Sequence, residues 1–186
     1  MSDDKLTPEE WYAQRPSVYA SAGAFITDEQ GRVLLVKPNY RPDWLFPGGQ
    51  IEMDEYPHLA CAREVREEVG LDLPVGDLLV VHWSPTRAPR PRPMVTWLFD
   101  GGTLDAARIA DIRLQEEELD DAAFVEPKAA PELLGYTGVR VAAAFEARTS
   151  GRTVYIAGMD AIPNHGPGSG TADTSTGTAS GDHTAS

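Results

Sequence analysis

The chain has 186 residues, with 29 acidic side chains against 16 Lys and Arg and a formal net charge of −13. That length can bury a full core without staples, and the acid excess argues against non-specific binding to nucleic-acid polymers or membrane surfaces, which calls for basic patches. A single cysteine, Cys61, excludes an intramolecular disulfide and a multi-cysteine zinc site; it suits a small buried apolar position better than a nucleophile.

Residues 1–16 form a polar N-terminal segment, beginning MSDDKLTPEEW, with neither the basic nor the apolar region of a signal peptide. No apolar run is long enough for a membrane helix, so a soluble, cytoplasmic protein is the expectation. Residues 18–26 are rich in β-formers and small side chains, TDEQGR supplies turn chemistry, and 33–36 is a short apolar run; together they predict a strand pair. RPDWLFPGG reads as loop with a brief extended piece. A helix follows over 57–69, with Pro57 at its first position and Gly70 at its stop. Strands are predicted over 78–83 and 94–99, separated by the proline-stiffened basic loop SPTRAPRPRP. A strand over 119–125, a closing helix over 139–148 and a last strand over 153–157 complete a domain placed at 17–160. Residues 161–186 are dominated by Gly, Ser, Thr and Ala and read as a disordered tail, with His165 and His183 solvated. The irregular alternation of strands and helices predicts an α/β (α+β) fold, a mixed sheet flanked by helices.

The helix carries the chemistry. Six carboxylates lie between Glu52 and Glu68. Glu64, Glu67 and Glu68 stand at i, i+3 and i+4 and share a helical face, while Leu59, Ala62, Val65 and Val69 gather opposite and would pack on the sheet. Glu64 and Glu68 repel each other at i,i+4; Arg63, four residues before Glu67, offsets part of this. Taken alone, such a face is either solvated or a site for a hard cation, since Mg²⁺ and Mn²⁺ take oxygen ligands.

The spacing around the helix resolves the choice. Gly49, five residues, Glu55, seven residues and then Arg63-Glu64-Val65-Arg66-Glu67-Glu68-Val69-Gly70-Leu71 resembles the Nudix hydrolase signature at every defining position. The resemblance implies a Nudix-type α/β/α sandwich and divalent-metal-dependent hydrolysis of a nucleoside diphosphate linked to another moiety, with Mg²⁺ or Mn²⁺ as cofactor. By position it implies Glu67 and Glu68 as metal ligands, Glu64 as a further ligand or the base, the Gly48 carbonyl as a backbone ligand, and Arg63 and Glu55 as orienting residues, with Gly49 and Gly70 structural. It leaves a homodimer open. Two positions depart from the common pattern: Asp54 stands where many members have Gly, and Tyr56-Pro57 where many have a Ser or Thr cap. Neither is a metal position; both bear on the loop at 53–56.

Family members often add a carboxylate from a later loop, and RLQEEELDD offers Glu118 first, then Glu117, against a solvated acidic turn. Arg87, Arg90 and Arg92 in the basic loop suit phosphate oxygens, and Tyr40, Trp44 and Trp83 suit stacking on a base; each also has an ordinary reading as exposed loop or core. His82 reads as a strand residue. Weighed against hydrolysis are a nucleotide-sensing module without catalysis, disfavoured by the intact glutamates, and an isomerase of the isopentenyl diphosphate type, disfavoured by the complete signature and by the position of Cys61 inside the helix.

Overall fold

The computed structural model describes residues 6–162. Of the tail predicted over 161–186, Ala161 and Ile162 fall in a described strand; the rest, with His165 and His183, lies outside the described residues. Helix α1 (Pro8–Ala13) opens with a capping box in which Thr7 and Glu10 exchange hydrogen bonds. Strands β1 (Tyr19–Asp28) and β2 (Val33–Pro38) are joined by the predicted turn. Asp28 ties that turn, its carboxylate accepting from the Gln30 and Arg32 backbone N–H groups. Then come β3 (Gly48–Gln50), α2 (Pro57–Val69), β4 (Leu78–Ser84), β5 (Met94–Leu104), α3 (Ala106–Ala110) and β6 (Leu119–Val125). The chain ends with α4 (Ala130–Leu134), a 3-10 turn at Gly135–Gly138, α5 (Val139–Ser150), β7 (Val154–Ala157) and β8 (Asp160–Ile162). Among the described residues no helix is long and apolar enough to cross a membrane.

The strands form one mixed sheet in the order β6-β2-β1-β5-β4-β7-β8, with β3 paired to β1. β1 runs parallel to β5 and β4 parallel to β7; the other pairs are antiparallel. Side chains alternate across the sheet, so two cores result. Ala22, Ala24 and Ile26 of β1 and Leu34 and Val36 of β2 pack with α2 through Cys61, Val65 and Val69. Phe25, Val33 and Leu35 face the other way, onto Val141, Ala144 and Ala147 of α5. This is the expected helix–sheet–helix sandwich.

One expectation about α2 is corrected. The face on the sheet is Ala60, Cys61, Val65, Glu68 and Val69, while Leu59 is half exposed and Ala62 only partly covered. The buried stripe is rotated where β3 packs against the helix: the Gly48 N–H donates to Glu68 Oε2 at 2.7 Å, drawing that carboxylate under cover.

Candidate active site

The strand pair β1–β3 makes the floor of the site. Gly48 pairs with Gly23, and a Cβ on Gly48 would stand 2.3 Å from the Ala22 carbonyl oxygen and 2.4 Å from the Gly23 Cα. Only glycine fits there, and its φ of 144° is open to glycine alone. A Cβ on Gly49 would lie 2.5 Å from the Glu64 carboxyl carbon, so the space a side chain would fill is where the Glu64 carboxylate rests.

Arg63 organises the carboxylates. Nε and Nη2 donate to the two oxygens of Glu55 at 2.9 and 3.0 Å. Nη1 donates to Glu64 Oε1 at 2.9 Å and Glu67 Oε2 at 3.0 Å, and Nη2 also donates to the Gln50 carbonyl at 3.1 Å. Every donor of the guanidinium fork is used, as planar bidentate geometry allows. The Arg63 hydrogen bond is the main cause holding Glu55 below the usual carboxylate range, and Glu55 also accepts the Glu52 N–H at 3.0 Å, tying down the preceding turn. In that turn Asp54 has φ 62°, the left-handed conformation that explains why glycine is common at this position. Tyr56 is the N-cap of α2 and offers no side-chain hydrogen bond.

The C-terminus of α2 is held by the chain that carries Glu118. Arg113 N–H donates to the Val69 carbonyl at 2.9 Å and Gln115 N–H to the Glu68 carbonyl at 3.1 Å, satisfying carbonyls the helix leaves free. Gly70 ends the helix in the left-handed region, with Arg113 so close that a Cβ would touch it at 3.0 Å. Asn39 N–H donates to the Glu118 carbonyl at 3.0 Å and the Asn39 side chain to the Glu117 carbonyl at 2.8 Å, so the residue that follows β2 fixes the same turn from the other side.

These elements enclose a cavity of about 570 Å³, lined by Glu64, Glu67, Glu68, Glu118, Arg63, Gly48, Gly49 and Tyr40 among others. Burial raises the pKa of Glu64 despite the opposing charge of Arg63. Glu68 is pushed up to about 8 by burial, with Glu64, Glu118 and Glu67 adding to the effect and the Gly48 N–H working against it. Burial also pushes the Cys61 thiol up to about 12, with Glu64 adding to the effect, as expected of an inert core cysteine.

Other expected residues lie elsewhere. Trp44 does not line the cavity; it packs on the α5-side core, and its backbone N–H donates to the Leu133 carbonyl. Arg87, Arg90 and Arg92 are also absent from the lining: Arg87 lies over the Tyr136 ring, Arg92 faces Tyr19, and Arg90 donates to the Pro85 carbonyl at 2.7 Å. The proline-rich backbone turns the loop back on itself through an Arg87–Arg90 bridge. Trp83 is also outside the lining, and of the later acids only Glu118 reaches it. Sequence reading missed Arg140, Thr96 and Ser21 in the cavity wall. Arg140 had a signal: it sits four and seven residues before Ala144 and Ala147, on the apolar face of its helix.

The donor set fits a hard divalent cation. Four carboxylates and the Gly48 backbone supply only oxygen, and the glycine pair leaves room beside Glu64. In the arrangement seen, no three acidic side chains among the described residues are gathered closely enough to enclose an ion; Arg63 supplies the positive charge between Glu64 and Glu67.

The NUDIX domain model matches residues 19–144, and the chain belongs to that family. It is 37% identical over 67 residues to a MutT-like protein of Streptomyces ambofaciens, covering 36% of this chain and 44% of that one. It is 39% identical over 72 residues to diphosphoinositol polyphosphate phosphohydrolase 2 of Rattus norvegicus, covering 38% and 40%. The chain thus spans less than half the length of these curated relatives. The crystal structure of a MutT protein from Methanosarcina mazei Go1 superposes with a TM-score of 0.58 at 23% identity, over 75% of this chain and 99% of that one, and shares the fold.

Proposed function

We propose that the protein is a pyrophosphohydrolase that cleaves the diphosphate of a nucleoside diphosphate linked to another moiety, with Mg²⁺ or Mn²⁺ as cofactor. The observation that carries this is the convergence of Glu64, Glu67 and Glu68 from α2 and Glu118 from the β6 approach on one cavity beside Gly48 and Gly49. So many like charges would repel unless a cation were part of the working site. Family membership and the names of the relatives support the same reading.

In this reading Glu67, Glu68 and the Gly48 carbonyl hold the cation. When bound, it supplies positive charge against the diphosphate oxygens and makes phosphorus more open to attack. Arg63 keeps Glu64 and Glu67 turned toward the cavity, and Glu55 keeps Arg63 in place. Glu64 or Glu118 accepts the proton of the attacking water; for Glu64, partial burial and the raised pKa make it a stronger base than an exposed carboxylate.

The test is release of nucleoside monophosphate or phosphate from a panel of nucleoside triphosphates, ADP-ribose, sugar nucleotides and dinucleoside polyphosphates, with either cation, beside Glu67→Gln. Glu67 is half exposed, so the variant should fold and lose turnover. Full activity in Glu67→Gln would remove the assigned metal role. No release from any compound would favour a nucleotide-sensing module.

A further inference from the structure

The cavity has an end that the acidic helix does not explain. Arg140, the second residue of α5, lines it and is only 9% exposed. It reaches the cavity from the opposite face of the sheet to the α2 carboxylates. Its Nε donates to His82 Nδ1 at 2.8 Å and its Nη2 to Thr96 Oγ1 at 3.1 Å. Thr96 Oγ1 in turn lies 2.8 Å from Ser21 Oγ.

None of these neighbours neutralises the guanidinium. His82 Nδ1 accepts from Arg140, so its proton sits on Nε2, which donates to the Gly158 carbonyl at 2.7 Å. Burial, then the Arg140 charge, lowers the His82 pKa to about 4, so the ring is neutral. Among the described residues no carboxylate pairs with Arg140; burial lowers its pKa to about 10, and Arg90 adds repulsion of like sign. Arg140 is therefore still a cation at neutral pH. It also lies in the first turn of α5, where the helix dipole disfavours a positive charge. A buried ion without a partner is expensive unless something completes it.

The surroundings extend the same pattern. The Tyr136 ring stacks on His82, and the Arg87 guanidinium also lies over that ring, 4.3 Å from its centroid. Arg90 Nε and the Tyr136 hydroxyl are buried without a hydrogen-bond partner. In a chain of net charge −13, this is a cluster of cations and unsatisfied donors with no acid among them.

We propose that this end of the cavity is an oxyanion subsite in which Arg140, backed by Thr96, holds a phosphate or carboxylate on the substrate's far moiety. The proposal deepens the hydrolase reading and rests on it for what the substrate is: a nucleoside diphosphate derivative with a second anionic group beyond the scissile diphosphate. Arg140 is then the specificity-determining residue, and Arg87 and Arg90 add positive potential behind it.

Phosphate binding separates this subsite from the chemistry. Calorimetry with inorganic phosphate, in chelator so that no divalent cation is present, is run on the full chain, Arg140→Gln and Arg140→Lys. Wild type should bind one phosphate, Arg140→Lys should keep part of the affinity, and folded Arg140→Gln should lose about tenfold or more. Should the glutamine variant fail to fold, the Arg140 side-chain ¹⁵N resonance of wild type is followed during the same titration and must shift saturably. In the activity arm, two sugar nucleotides differing by one phosphate on the sugar are compared; wild type should favour the phosphorylated one in kcat/KM by about tenfold, and Arg140→Gln should erase the preference mainly through KM. No saturable phosphate binding by wild type, or unchanged binding in a folded Arg140→Gln, overturns the subsite. Arg140-dependent binding without hydrolysis of any compound would uphold it and sink the hydrolase reading; hydrolysis with neither phosphate binding nor preference would do the reverse.

Discussion

Glu68→Gln in the metal-free protein probes the electrostatics of the site at its most sensitive point. Burial is the main reason the Glu68 carboxyl holds its proton up to about pH 8, against an ordinary value of 4.5. When folding raises the pKa of an acid, the folded state prefers the protonated form. Its contribution to stability is then full below the unfolded pKa and is lost as pH climbs toward the folded one. The window here runs from 4.5 to about 8. At about 1.4 kcal/mol per pH unit this gives a ceiling of ~5 kcal/mol. Water entering from the cavity raises the local dielectric and brings the expected loss to about 2–3 kcal/mol. Glutamine keeps an acceptor for the Gly48 N–H and cannot ionise. Urea unfolding in chelator should therefore show the variant gaining on wild type by about 2–3 kcal/mol between about pH 5 and about pH 8. Comparing the two proteins cancels the shift of Glu55, which both retain and to which Glu68 does not contribute. A divalent cation that binds only the folded state should flatten the wild-type slope. Parallel pH profiles in chelator would refute the claim that Glu68 carries a burial penalty.

Gly49→Ala should leave the fold standing, because the atoms a Cβ would meet are the end of the Glu64 side chain; thermal melting should barely move while, with Glu64 in its proposed role, turnover falls about 10²-fold, the cost of displacing a reacting group by about an ångström. Tyr56→Ser supplies the side-chain acceptor that the α2 N-cap lacks and should stabilise the protein by about 0.5–1 kcal/mol in urea unfolding; no gain would mean the cap position is already satisfied. Arg148→Met removes a guanidinium that donates to both oxygens of Asp100 at 3.0 and 2.6 Å, to Thr27 Oγ1 and to the Phe25 carbonyl. Asp100 keeps the Gly102 N–H at 2.7 Å but loses its only ion-pair partner among the described residues, so the loss should be about 2–3 kcal/mol, partly recovered when Asp100→Asn is added; purely additive effects would deny the coupling.

Much of this molecule could be read along the chain. The strand pair at 18–36, the 57–69 helix with its proline start and glycine stop, and the later strands all appear within a few residues of their predicted places. Their signals are local: apolar periodicity, turn chemistry and caps act between neighbours in sequence. The spacing of Gly49, Glu55, Arg63, Glu64, Glu67 and Glu68 was legible for the same reason, since one turn and one helix hold them all.

What the chain did not reveal depends on contacts between distant segments. Leu59 is expected on the sheet because a helical wheel has no absolute orientation; in the fold Leu59 is half exposed, and Glu68 is buried under a hydrogen bond from Gly48, twenty residues away in sequence. Arg87, Arg90 and Arg92 had the right chemistry for an anion, but their loop folds onto Tyr136 and Tyr19, and Trp44 was drawn into the core. Arg140 is one charge in an alanine-rich helix along the chain; only the fold brings it to Thr96 and His82, on two different strands, beside the cavity. Sequence alone determined that Glu64, Glu67 and Glu68 share one turn of one helix, because that depends only on helical spacing. Tertiary structure decided which of the many charges share the cavity, because only strand pairing across the sheet brings α2 and α5 to the same space.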